Sequence, residues 1–179
     1  MNKKVLVISA SPRKGGNSDI LSDQFVNGAR EAGHIVEKIS LREKEVNYCK
    51  GCYACMKTKG RCAIKDDMAE ILDKIVTADV LVLATPVYFY CMNAQLKTVI
   101  DRTVAKYTEI TNKDAYLIAT AAEEEMKAME GTITSFRSFL DCLDNVREAG
   151  LILGMGVHNV SDVIGKPVMN TAYESGKNV

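Results

Sequence analysis

The fourteen residues CKGCYACMKTKGRC, 49–62, hold four of the chain's six cysteines, Cys49, Cys52, Cys55 and Cys62, at the spacing C-x2-C-x2-C-x6-C. Two-residue gaps let consecutive thiolates turn toward one centre, and four thiolates satisfy either a [4Fe–4S] cube or a tetrahedral zinc ion. Zinc sites more often carry two C-x2-C pairs separated by a longer span, so three cysteines at successive short gaps favour iron. Zinc, a disulfide and free thiols stay open as alternatives, because spacing narrows the metal without loading it. Cys91 reads as a small buried residue among aromatics, with a reactive thiol as its alternative, and Cys142 as packing on a long helix. His34 and His158 are too isolated to argue for metal; the first reads as a surface residue and the second as a loop residue near the site.

Two further segments could bind rather than ligate. In SASPRKGGNSDIL, 9–21, Ser9, Ser11, Asn17 and Ser18 offer hydroxyl and amide donors, Arg13 adds charge, and Gly15 and Gly16 let backbone approach closely. Such a segment opening a helix reads as an anion pocket suited to a phosphate, against the plainer reading of a helix cap and turn. Neither G-x-x-x-x-G-K-[ST] nor G-x-G-x-x-G occurs there, which disfavours ATP and a tightly bound dinucleotide. In ATPVYFYCMNAQLKTVIDR, 84–102, Pro86 stiffens a turn, and Val87, Tyr88, Phe89 and Tyr90 offer flat apolar surface for a planar heterocycle. Core packing or a subunit interface is the competing reading. Lys97, Asp101 and Arg102 read as a solvated helix face or an interface ion pair.

These segments need elements to hold them. KVLVIS (4–9), VLVLA (80–84), AYLIAT (115–120) and GLILGMGV (150–157) are short apolar runs that suit strands buried on both faces, and IVEKIS (35–40) adds another. Leu21, Phe25, Ala29 and Ala32, stopped by Gly33, fall at helical spacing. So do Met68, Ile71, Leu72, Ile75 and Val76 behind an Asp67/Glu70 capping box, then Leu96, Val99 and Ile100, then Met129, Ile133, Phe136, Leu140 and Leu143, with a last helix near 167–176. Five strands alternating with helices predict an α/β fold, a doubly wound five-stranded parallel sheet. Ligands in such folds bind beyond the carboxyl ends of the strands, where the 9–21 and 84–102 segments would lie.

The totals narrow the classes. At 179 residues, without repeats or linkers, one domain over 1–179 is expected, with the cysteine-rich loop at 48–65. The 23 basic and 23 acidic side chains balance, so no pull toward nucleic acid or anionic membrane is expected. The apolar run from Val5 is too short for a signal peptide and nothing approaches a membrane span, so a cytoplasmic protein is expected. In a reducing compartment clustered cysteines are more often ligands or catalytic thiols than structural disulfides.

SASPRKGGNS, TPVYFYCMNAQLKTVIDR and the ending GVHNVSDVIGKPVMNTAYESGK together resemble the flavodoxin-like NAD(P)H-dependent FMN reductase and iron–sulfur flavoprotein superfamily. The resemblance implies that Ser9, Ser11, Arg13, Asn17 and Ser18 hold the FMN phosphate and that Thr85, Pro86, Val87, Tyr88 and Phe89 line the isoalloxazine ring. It implies the same ligand set, Cys49, Cys52, Cys55 and Cys62, for a [4Fe–4S] cluster, and dimers or tetramers with the flavin near a subunit boundary. The third flavin loop, usually glycine-rich in such proteins, reads TAAEEE (120–125) here.

The leading expectation is an FMN-dependent oxidoreductase passing electrons between the cluster and FMN, the flavin carrying the redox step without a catalytic side chain. Its donor is NAD(P)H or ferredoxin, and its acceptor a small oxidant or quinone-like molecule. The alternative is an NAD(P)H-dependent FMN, quinone or nitroaromatic reductase without a cluster. A thiol- or zinc-based sensor on the same scaffold is a third reading, weakened by the lack of any DNA-reading element or basic patch.

Overall fold

Runs such as VLVI and VLVLA carry no polar alternation, so neither face of the strands they form can meet water. In the computed structural model, which describes residues 2–179, they form the centre of one sheet. In chain order the elements are β1 (Lys4–Ser9), α1 (Asn17–Glu31), β2 (Ile35–Ser40), α2 (Ala54–Lys57), α3 (Met68–Thr77), β3 (Val80–Tyr88), β4 (Cys91–Met92), α4 (Ala94–Arg102), β5 (Thr111–Thr120), α5 (Lys127–Asp141), β6 (Asp144–Gly154) and α6 (Val168–Lys177). Five strands pair in parallel in the order β2-β1-β3-β5-β6, and β4 folds back antiparallel on β3. This is the flavodoxin-like arrangement, with the order reversing between β1 and β3.

The strands sort their side chains by parity. Val5, Val7, Val80, Val82 and Ile118 pack with Leu21, Phe25 and Ala29 of α1 and Ala172 of α6. Leu6, Ile8, Leu81, Leu83 and Leu117 face the other way, against Ile71 and Ile75 of α3, Leu96 and Val99 of α4 and Met129 and Phe136 of α5. Helices thus cover both faces, and only the strand ends and the loops beyond them are free to build a site.

Several boundaries differ from the sequence expectation. β3 does not end at Ala84 but runs to Tyr88, so Pro86 lies inside a strand rather than in a turn; it sits opposite Thr120, at the end of the ladder, where a missing N–H disturbs little. β5 and β6 start earlier than expected, at Thr111 and Asp144, and β6 ends at Gly154. Their first residues are polar, which hides them from a search for apolar runs. The Asp67/Glu70 capping box does not form: Asp67 accepts from the Glu45 N–H, while Glu70 pairs with Lys74 and Lys44. Asp66 caps α3 instead, accepting from the Met68 N–H at 3.2 Å. Cys91 and Cys142 are exposed, not packed, because Cys91 falls on a two-residue edge strand and Cys142 just past the end of α5. No helix among the described residues is long and apolar enough to cross a membrane.

Candidate functional site

The loop after β1 is built around an open helix start. Gly16 is the N-cap of α1 and no side chain caps it; the first intrahelical bond is Ile20 N–H to the Gly16 carbonyl, so the N–H groups of Asn17, Ser18 and Asp19 lie ahead of it. Those groups and the helix dipole are what an anion needs. A Cβ on Gly16 would lie 2.4 Å from Ser11 Oγ and 3.2 Å from the Arg13 carbonyl, so the cradle closes to any larger residue. Ser11 Oγ donates to that same carbonyl at 2.8 Å, which fixes the turn. Arg13 is exposed and reaches across to donate from both terminal nitrogens to the His158 carbonyl.

Two of the expected donors support the cradle from below. Ser9 is buried and its hydroxyl donates to Asp19. The Asn17 side chain donates to the Asn159 carbonyl and accepts from the Val163 N–H, tying α1 to the loop after β6. Asp19 itself places a carboxylate beneath this loop. Burial works against its charge, but Lys38 at 2.7 Å, Ser9 and Arg42 outweigh that and hold its pKa below the usual carboxylate range. The flanking cations, Lys38 and Arg42, offset the negative charge that Asp19 places beneath the loop.

Beside this cradle lies a cleft of about 430 Å³ lined by Arg13, Pro86, Val87, Tyr88, Phe89, Thr120, Ala122, Val157 and His158. It sits beyond the carboxyl ends of β1, β3, β5 and β6, the position that the parallel topology dictates for a ligand. Four consecutive residues of the expected ring-binding segment, Pro86–Phe89, meet Arg13 in it. Thr85 does not face it: the side chain is fully buried and bonds to the Pro86 carbonyl and to Asn93. Asn93 was not singled out by the sequence reading, yet it caps α4, donates to the Ala10 carbonyl at 2.6 Å and so locks the β1 loop to β3. The signal was present, since asparagine directly before a helical stripe is a favoured cap.

The aromatic tip is held in an unusual form. Phe89 and Tyr90 both have positive φ, 49° and 62°, in the two-residue connection from β3 to β4. That geometry normally calls for Asn-Gly, and bulky side chains adopt it at a cost. Gly131 of α5 explains how the tip is supported, because a Cβ there would meet the Tyr90 carbonyl at 2.2 Å. Phe89 is completely exposed, and Tyr88 and Tyr90 largely so. The loop after β5 completes the rim: Gly156 N–H bonds to the Glu123 carbonyl and Val157 N–H to the Ala121 carbonyl, which ties TAAEEE to the loop after β6.

The cysteine segment lies elsewhere, between β2 and α3. Left-handed residues, Gly51, Tyr53, Lys59 and Gly60, coil it back on itself around the single turn of α2. All four expected ligands, Cys49, Cys52, Cys55 and Cys62, line one cavity of about 330 Å³ together with Asp101, Arg102, Val104 and Ala105. The Gly51 N–H already points to the Cys49 sulfur at 3.5 Å. Among the described residues no three His, Cys, Asp or Glu side chains are gathered as ligands of one metal ion. The cavity and the cleft share no lining residue.

Arg102 departs from the sequence reading. It is not on a solvated face: it is 2% exposed and forks onto Asp66, itself without exposed side-chain surface, at 2.7 and 3.0 Å, with a further bond of 2.6 Å to the Asn47 carbonyl. Burial opposes the Asp66 charge, but Arg102 and the N–H groups of Asn47 and Met68 hold its pKa down at about 2. The pair fastens both ends of the cysteine segment to α4. Its signal in the sequence was position, since 96, 99 and 102 continue one buried stripe. Lys97 and Asp101, by contrast, pair on the exposed face as expected.

An uncapped helix start with a glycine cradle, joined to an aromatic-walled cleft at the switch point of a 2-1-3-type parallel sheet, belongs to the flavodoxin-like class of folds. The chain belongs to the NADPH-dependent FMN reductase family, whose model matches residues 3–149. It is therefore a member of a flavoprotein family that works with FMN. An iron–sulfur flavoprotein of Methanocaldococcus jannaschii is 48% identical over 99 residues, 55% of this chain and 51% of that protein. One from Archaeoglobus fulgidus is 40% identical over 99 residues, 55% of this chain and 44% of that protein. The matched part spans about half the length of these relatives. Among solved structures, an NAD(P)H:quinone oxidoreductase from Methanothermobacter marburgensis superposes with a TM-score of 0.78 over 99% of this chain and 96% of its own, at 19% identity, a likeness of fold.

Proposed function

We propose that the chain is an oxidoreductase of the iron–sulfur flavoprotein kind, with FMN in the cleft beyond the sheet and a [4Fe–4S] cluster on Cys49, Cys52, Cys55 and Cys62. The observation that carries the reading is that these four cysteines line one cavity, set on a loop that a buried ion pair fastens to the core. A cube spreads its four thiolates wider than one tetrahedral ion, whose ligands must meet about 2.3 Å from a common point. The cavity, at about 330 Å³, leaves room for a cube among the four thiols. The names of the iron–sulfur flavoproteins that resemble the chain support the same choice.

When bound, FMN supplies hydride or single-electron chemistry and the cluster single-electron exchange. The chain's own residues bind and orient. The free N–H groups at the start of α1, with Ser11, Ser18 and Arg13, would hold the phosphate, and Ser9 and Asn17 would keep that loop in shape. Pro86–Phe89 would give the ring an apolar wall and exclude water from one side, leaving the open side for a small oxidant or quinone-like acceptor.

The cysteine segment suggests the donor. Residues 49–65 contain Lys50, Lys57, Lys59, Arg61 and Lys65 and no acidic residue, and among the described residues none of the five makes an ion pair. The overall charge balance conceals this local excess. A small acidic electron carrier such as a ferredoxin fits it electrostatically. Assembly into dimers or tetramers would cover the exposed Tyr53 and the Tyr88–Tyr90 tip. A reducing cytoplasm is the compartment such a site requires.

Dithionite reduction of anaerobically purified protein, followed by low-temperature EPR, tests the reading. A reduced-cluster signal that Cys55→Ser abolishes while the flavin spectrum persists supports it. Flavin bleaching by NADPH with no such signal would turn the assignment to a flavin-only reductase, the reading that the family's description favours.

A further inference from the structure

Arg102 carries one donor more than fastening the loop uses. Both terminal nitrogens are committed to Asp66 and the Asn47 carbonyl, while its Nε–H is buried and has no acceptor of good geometry. Burying a guanidinium with one donor unmet is costly, and an apolar side chain would fill this position of the helix stripe without that cost. The neighbour that could use the donor is Cys62: both residues line the cysteine cavity and the smaller one on the other side of the segment. Of the residues that line both cavities with Arg102, Cys62 is the one whose side chain carries an acceptor.

We propose that Arg102 is a positioning residue for the cysteine site: clamped by Asp66 and the Asn47 carbonyl, its guanidinium donates an N–H to the Cys62 sulfur, orients that ligand and raises the reduction potential of the cluster it holds. The inference rests on the cluster reading above. Its physical basis is that a donor and a cation beside a ligating sulfur stabilise the more electron-rich, reduced state. Asp66 acts in the opposite sense, because its negative charge offsets part of the cation. The redox step is the uptake of one electron from a mediator by the cluster, with no bond made or broken.

The opposed signs give the test. Iron content and the EPR-monitored midpoint potential are measured for the whole protein, anaerobically, in wild type, Arg102→Lys and Asp66→Asn. Arg102→Lys keeps a cation but loses the fork and Nε; reduction should become about tenfold less favourable, a potential lower by ~59 mV for one electron. Asp66→Asn leaves the guanidinium in place with less counter-charge, and its potential should move upward by a similar factor. Iron-loaded variants at the wild-type potential, or both shifted in one direction, would overturn the role and leave a loop fastener only. Where Arg102→Lys does not load iron, Asp66→Asn decides alone by its upward shift or its lack of one. Wild-type protein without iron would overturn the cluster reading itself, and the inference with it.

Discussion

Replacing Asp66 by asparagine tests whether the buried ion pair fastens the cysteine segment. The carboxylate has no exposed side-chain surface, forks onto a guanidinium that is 2% exposed, and accepts from the Asn47 and Met68 N–H groups at 2.9 and 3.2 Å. Its pKa falls from 3.8 to about 2, equivalent to roughly 2 kcal/mol of preference for the charged form in the folded state. The amide removes that term and leaves Arg102 without its counter-ion, though it keeps one acceptor. The cost should therefore be about 2–4 kcal/mol at pH 7, or a melting temperature lower by about 6–12 °C in a chain of this size. The pH dependence follows from the sign of the shift. A depressed carboxylate pKa contributes stability that is complete above the unfolded value of 3.8 and is lost as the pH falls toward 2. About half of it should remain at pH 3. Urea unfolding of both proteins from pH 7 to pH 3 should show a gap that is constant down to about pH 5 and then narrows. Equal stability at pH 7, or a gap that ignores pH, would refute the argument.

Other perturbations separate binding from folding. Gly16→Ala pushes a methyl group into Ser11 Oγ and the Arg13 carbonyl, and should weaken FMN binding by at least about tenfold, measured by flavin fluorescence titration; unchanged affinity would show that the cradle is not the phosphate site. Phe89→Ala removes a fully exposed side chain, so stability should stay within about 0.5 kcal/mol while FMN affinity falls. A large loss of melting temperature with normal binding would make it a structural residue. Asn93→Ala removes the α4 cap and the bond to Ala10, and should cost about 1–3 kcal/mol in chemical unfolding; a neutral result would mean that the β1 loop is held in another way.

The sheet was legible because the central strands are apolar on both faces, and such runs stand out from polar surroundings. β5 and β6 were legible only in their apolar halves, since Thr111–Asp114 and Asp144–Glu148 are mostly polar. The loop after β1 stood out by its glycine, serine and arginine types, but not the division of labour within it. That Ser9 and Asn17 face inward depends on Asp19 and on the loop at 159–163, partners remote in sequence. The aromatic tip was visible as composition and hidden as geometry, because nothing in VYFYCM signals two consecutive left-handed residues. Arg102 was misplaced because charge outweighed its position on the helix stripe; a charged residue at a buried stripe position calls for a partner of opposite sign, and Asp66 was thirty-six residues away.

The central claim is that one chain carries both FMN and an iron–sulfur cluster on its four clustered cysteines. The most direct measurement is a visible absorption spectrum of anaerobically purified protein, with iron, acid-labile sulfide, zinc and FMN quantified on the same sample. Flavin bands over a broad brown absorbance, with about four irons and four sulfides per chain, are the expected result. Flavin with neither iron nor sulfide, or with one zinc per chain, would contradict it.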